Sequence, residues 1–161
     1  MAARQEAIAL LATAFARCTE SLGIVGASLS YDGEPVTVAE YEQRLPRDLE
    51  RGLTGAGPHL HEVRLEADGR DLRRFGSQGE QRVAVLALVL AEAEILTERS
   101  GVRPLVLLDD VLSELDADRR LALASLVSGV GQTMVTATAA AALPVEPAQS
   151  LIVSPGEVRE A

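Results

Sequence analysis

Two short stretches hold residue types that could do chemistry together. "GSQGEQR", residues 76–82, sets Ser77, Gln78, Gly79 and Glu80 at the head of a long apolar run. "LVLLDDVLSELD", residues 105–116, ends an apolar strand on Asp109 and Asp110. Free N–H groups at a helix start, with a small hydroxyl and a glycine that permits close approach, suit an anion at the positive end of the helix dipole. A carboxylate at the carboxyl end of a strand suits Mg²⁺, a hard cation that takes one or two acids together with phosphate oxygens. Its neighbour points elsewhere and can orient or deprotonate an attacking water. Each stretch also has a plainer account. Ser77 and Glu80 spell a capping box, Asp116 is placed to N-cap the next helix, and paired acids after a strand can be no more than a solvated turn.

Elements of an α/β fold would position these groups. The first stretch opens a helix expected from about Gln78 to Arg99, whose segment "VAVLALVLAEAEIL" is apolar on nearly every face and should be deeply buried in its first half. Pro104 starts a strand, Leu105 to Leu108 fill it, and ligands of open α/β sheets bind at that end. The helix "ADRRLALASLV" follows Asp116, then a strand "TMVTAT" at 133–138 and a last one, "LIV", at 151–153. From Val63 onward the pattern is therefore strand, helix, strand, helix, strand, with right-handed crossovers between parallel strands.

The upstream third reads differently. Ile8, Leu11, Phe15, Cys18 and Leu22 recur at spacings of three and four, which fits a coiled-coil seam or an ordinary amphipathic helix packing on its own domain. Residues 24–38 read as a hairpin turning at Asp32-Gly33. A helix broken near Pro46 and the glycine-rich loop "TGAGPH" at 54–59 complete this part. The expected organisation is an arm helix with a small hairpin and helix over 1–53, followed by an α/β lobe over 54–161.

Composition excludes several homes for the acidic pair. All fifteen basic residues are arginine. A P-loop needs its lysine on the β- and γ-phosphates, and a phospho-acceptor receiver domain also needs one, so neither can be complete here. A net charge of −9 argues against autonomous binding to a phosphate backbone. The single cysteine, Cys18, cannot form an internal disulfide, no apolar run is long enough to span a membrane, and the first twenty residues do not form a secretion signal. A cytoplasmic setting is expected. With 47% hydrophobic but only 2% aromatic residues, the core must be aliphatic.

Taken together and in order, the two stretches resemble the signature motif, Walker B motif and D-loop of an ABC-type (P-loop NTPase) ATPase head, and in detail the C-terminal portion of the RecF family. "GPH" at 57–59 and "QTMVTAT" at 132–138 fit the same family in sequence. The resemblance covers about residues 50–140 well and the preceding helix and hairpin more loosely. It implies that Ser77 and Gly79, flanked by Gln78 and Glu80, contact the γ-phosphate of ATP held by the opposite subunit. It also implies that Asp109 holds Mg²⁺, that Asp110 polarises the attacking water, and that Ser113 to Asp116 form a D-loop crossing a dimer interface. Thr136 or Thr138 stands where transporter-type relatives keep a switch histidine. After "GPH" the family usually continues Arg-Asp-Asp, and this chain has Leu60, His61 and Glu62. His59 and His61 could pair on a metal, but two ligands without a third are more often structural.

The resemblance also gives the missing lysine a place. In this family the P-loop lies near the N-terminus, so this chain would be the signature and Walker B half and would not hydrolyse ATP alone. The family binds ATP, dimerises on it, recognises DNA at single-strand/double-strand junctions, and helps load RecA at gaps, in DNA replication, repair, recombination and the SOS response. The expected partners are thus the N-terminal half of the same protein, a second copy in an ATP-dependent homodimer, DNA in the whole protein, other recombination mediators and RecA, and no membrane. Two other readings stay open: half of another ABC-type machine, SMC-like or transporter, and a non-catalytic interaction module of the same fold.

Overall fold

Residues 2–21 contain neither glycine nor proline and are rich in alanine, the strongest helix former, and they make one helix, α1 (Ala2–Ser21). The computed structural model describes residues 2–139 and 142–161. The chain divides into two compact units, Met1–Val102 and Arg103–Ala161. Packing therefore divides it at 102/103, and the expected boundary at 53/54 falls inside the first unit. The reason is that α1 packs along the long helix α4 (Gln78–Ser100), so both belong to one core.

That packing also decides how α1 is used. Ala14, Phe15, Cys18 and Leu22 are buried, against α4 and the strand β1 (Ala27–Asp32). The coiled-coil alternative does not hold for the C-terminal half of the helix, whose seam is satisfied inside its own unit. Ile8 and Leu11 are only half-buried and residues 3–7 are exposed. Thr19 is fully buried, and its hydroxyl donates to the carbonyls of Phe15 and Ala16 at 2.9 and 2.8 Å, which satisfies it without leaving the helix. Arg17 pairs with Glu94 across to α4, and burial pushes the Cys18 thiol above its usual range.

The expected hairpin at 24–38 does not form. β1 pairs antiparallel with β2 (Glu62–Ala67), Leu29 opposite Leu65, and β2 pairs with the short β3 (Arg70–Asp71). The Asp-Gly turn signal belongs to Asp68-Gly69, both at positive φ (50° and 72°), the left-handed pair a two-residue hairpin turn requires. Residues 34–38 fail as a strand because Pro35 lacks a ladder donor and Thr37 is already committed to the next helix. Thr37 and Glu40 form a capping box at the head of α2 (Val38–Arg51). The Thr37 N–H on the Glu40 carboxylate holds that acid below its usual range. Nor does Pro46 break α2. The helix runs through it, capped at one end by the box and at the other by Gly52 in the left-handed conformation.

α4 follows the expected span closely. Val83, Ala84, Leu86, Ala87, Leu90, Ala91 and Ala93 are buried, yet Val85, Val89 and Leu96 on another face are exposed. Gly101, at φ 71°, ends it and donates its N–H to the Thr97 carbonyl at 2.9 Å.

In the second unit, β4 (Val106–Asp109) and β5 (Thr133–Thr136) pair in parallel, joined through α5 (Ala117–Val130). Val106 and Leu108 are buried while Leu107 is 64% exposed and its register partner Met134 is 55% exposed. The residues 151–153, expected as a further strand of that alternation, instead open an antiparallel hairpin. β6 (Leu151–Ser154) pairs only with β7 (Glu157–Glu160) in the described structure. Pro155-Gly156 supplies the turn, with proline at the first corner and glycine at φ 78° at the second.

Candidate functional site

The head of α4 is built from the chain just before it. α3 (Leu72–Phe75) is a single turn capped by Asp71, whose carboxylate accepts from the Arg73 N–H at 2.8 Å. Gly76 closes that turn by donating to the Leu72 carbonyl at 3.0 Å. A Cβ at Gly76 would lie 2.5 Å from the same carbonyl oxygen, so only glycine fits. The Gln81 amide then donates to the Arg73 carbonyl at 3.2 Å and the Gly76 carbonyl at 3.1 Å. It ties the incoming turn to the first turn of the helix. Capping alone gave no account of Gln81, and a glutamine one turn inside a helix that follows a glycine turn was the available signal.

Ser77 is the N-cap. Its hydroxyl oxygen accepts from the Glu80 N–H at 3.2 Å, and the Glu80 carboxylate accepts from the Ser77 N–H at 2.8 Å. The capping account of the stretch is therefore correct. It does not consume the site. Because the hydroxyl acts as an acceptor in the cap, its own proton remains to be donated. Gln78 and Gly79 are the first two residues of the helix, where backbone N–H groups have no intrahelical acceptor. Ser77 and Gln78 are exposed and Gly79 is half-buried. Such a helix start, 23 residues long, can accept a phosphate oxygen.

The acidic pair sits at the carboxyl end of β4, with Asp109 opposite Thr136 in the parallel register. The Thr136 hydroxyl donates to the Asp109 carboxylate and accepts from the Asp110 N–H at 3.0 Å. Asp110 adopts the left-handed conformation (φ 48°, ψ 27°), one of two described non-glycine residues with positive φ, and aspartate tolerates it better than most side chains. That turn takes the chain out of the strand into a 3₁₀ turn at Val111–Glu114. Ser113 does not project freely, since its hydroxyl donates to the Asp110 carbonyl at 2.9 Å. Asp116 caps α5 as expected, accepting from the Arg119 N–H at 2.9 Å. Arg120 was not anticipated, and its Nε–H holds the Leu112 carbonyl at 2.9 Å, bracing the turn from the helix side.

Asp109 and Asp110 are both exposed. Among the described residues no group of three or more His, Cys, Asp and Glu side chains could hold a metal. A cation on Asp109 would take its other ligands from water, phosphate oxygens or another chain, which fits the chemistry of Mg²⁺. His59 and His61 each have one ring nitrogen engaged. His59 Nε2 lies 3.0 Å from the Thr54 carbonyl, and His61 Nδ1 lies 2.7 Å from the Tyr31 hydroxyl. No helix among the described residues is long and apolar enough to cross a membrane.

Comparison with known proteins gives a consistent result. No family model matches the chain. It is 46% identical over 96 residues to the DNA replication and repair protein RecF of Natranaerobius thermophilus, an alignment covering 60% of this chain and 25% of that protein. Against RecF of Pediococcus pentosaceus it is 38% identical over 117 residues, covering 73% and 30%. In three dimensions it is similar to the recombination mediator protein RecF solved with ATP, from the RecFOR pathway, with a TM-score of 0.75 at 26% identity over 99% of this chain and 45% of that one. The alignments span about 25–30% of the length of these curated relatives.

Proposed function

Because this chain belongs to the RecF family and spans only a part of it, we propose that it is the signature and Walker B lobe of a recombinational DNA-repair ATPase. In this reading its Ser77 helix start and its acidic pair each serve an ATP site that a P-loop half of the same protein and a second copy complete. Residues 54–161 supply the ATPase lobe and residues 1–53 the returning arm and lid.

One observation carries the reading. Among the described residues the parallel sheet has two strands, bears its carboxylate pair at the carboxyl end, and leaves its Leu107 and Met134 face bare. Large apolar side chains exposed in register on one sheet face mark a surface that another segment covers. A solved relative that carries ATP and is more than twice as long supports it.

The roles then follow from the chemistry of each group. Ser77, Gln78 and Gly79 offer a hydroxyl and backbone N–H groups to the γ-phosphate of ATP on the opposing copy, with Glu80 fixing the turn that presents them. Asp109 holds Mg²⁺, which when bound neutralises phosphate charge. Asp110 orients a water and takes its proton. Ser113 and Asp116, by holding the 3₁₀ turn and the start of α5, shape the D-loop that crosses between copies. DNA contact at single-strand/double-strand junctions and the handover to RecA and other mediators belong to the assembled protein, since this chain's net charge of −9 argues against its binding a phosphate backbone by itself.

The test is to supply a P-loop-bearing N-terminal half and measure ATP hydrolysis. Slow turnover should appear, and Asp110→Asn should reduce it about 10²–10⁴-fold, on the order of 3–5 kcal/mol, while ATP stays bound. Asparagine also tolerates the left-handed backbone at position 110, so the loss would report the proton and not the turn. Hydrolysis at the parental rate in Asp110→Asn would remove Asp110 as the base.

A further inference from the structure

Thr136 holds both members of the acidic pair with a single hydroxyl. A threonine hydroxyl has one proton and two acceptor lone pairs. Here the proton goes to Asp109 Oδ1, and a lone pair takes the Asp110 N–H at 3.0 Å. We propose that Thr136 is the positioning residue of this site, setting the direction of the Asp109 carboxylate and the backbone turn that aims Asp110. The proposal rests on the reading of Asp109 and Asp110 given above.

Only Thr136 among these groups touches both acids: the Asp109 carboxylate and the Asp110 N–H. β5 ends at Thr136, opposite Asp109 in the ladder, so the Asp110 N–H lies one residue beyond the last strand pairing. A left-handed aspartate at that point is a strained choice that persists only where its surroundings hold it. Two hydroxyls do so. Thr136 takes its N–H, and Ser113 donates to its carbonyl at 2.9 Å. Meanwhile Asp109, an exposed side chain, has its Oδ1 engaged by that hydroxyl. Serine could do the same at position 136. Valine, of the same shape, could do neither.

The experiment uses the chain as it stands, with Thr136→Val and Thr136→Ser. Amide hydrogen exchange read by NMR should be about tenfold faster at Asp110 in Thr136→Val and close to parental in Thr136→Ser. The amides of Met134 and Val135 should stay unchanged in both, which shows that β5 has kept its pairing. Mn²⁺ added alone, as a paramagnetic probe, should broaden the Asp109 and Asp110 signals in the parent. Thr136→Val should need several-fold more Mn²⁺, and Thr136→Ser should not. Parental exchange at Asp110 in Thr136→Val would overturn the proposal. So would faster exchange with an unaltered Mn²⁺ response, because Thr136 would then shape the turn without shaping the site. Absence of broadening at Asp109 in the parent itself would instead overturn the cation role of Asp109.

Discussion

Replacing Ser77 separates a helix cap from a phosphate contact. The cap is one hydrogen bond from the Glu80 N–H, 3.2 Å long and exposed to water. Its loss in Ser77→Ala should cost about 1 kcal/mol, which for a chain of this size lowers the melting temperature by roughly 2–4 °C. Glycine tolerates the cap position at a few tenths of a kcal/mol, so Ser77→Gly should melt within about 1 °C of the parent. It still lacks the hydroxyl. If that hydroxyl meets a γ-phosphate, a hydrogen bond to a charged group worth about 1.5–3 kcal/mol is gone. In the protein reassembled with its N-terminal half, ATP-driven dimerisation followed by light scattering should then need at least about tenfold more protein. Ser77→Arg should block it, since a bulky cation cannot fit between helix start and nucleotide. Parental dimerisation in both the Gly and Arg variants would refute the phosphate role and leave Ser77 a cap.

Phe15 is fully buried between α1, α4 and β1, so Phe15→Ala should destabilise the isolated chain by about 3–5 kcal/mol in urea unfolding; an unchanged midpoint would mean α1 does not pack in its own unit in solution. Gln81→Leu removes two donors from the turn before Ser77. It should speed amide exchange at Gly76 and Ser77 and weaken ATP-driven dimerisation of the reassembled protein, and a variant with neither effect would show that Gln81 does not set that turn.

How much of this was legible in the sequence depended on the range of the signal. Local signals read correctly: the Ser77–Glu80 box, the Asp116 cap and the long helix from Gln78 are each decided within a few residues. Pairing between distant strands was not legible. β1 had a nearby Asp-Gly pair, yet its partner lies thirty residues on, in β2, because β2 offers the donors and alternation that Pro35 denies to residues 34–38. For the same reason the strand at 151–153 was assigned to the parallel alternation when its nearest ladder partner was β7, across a Pro-Gly turn. α1 shows the limit of periodicity. Spacings of three and four specify a buried stripe but not what covers it, and the cover proved to be α4. At the site, residue types pointed to Ser77 and the acidic pair, whereas the double role of the Thr136 hydroxyl arises only from the parallel register of β4 and β5.

ATP binding by the chain alone, then with a P-loop-bearing N-terminal half added, tests the central claim most directly. The chain has a helix start and a carboxylate pair but no lysine. Calorimetry with ATP and Mg²⁺ should therefore show affinity no tighter than about 1 mM, roughly −4 kcal/mol, for the chain alone. Adding the complementary half should bring binding into the micromolar range, and Asp109→Asn should reverse that gain. Micromolar binding by the isolated chain would contradict the account, because a complete nucleotide site would then lie within these 161 residues.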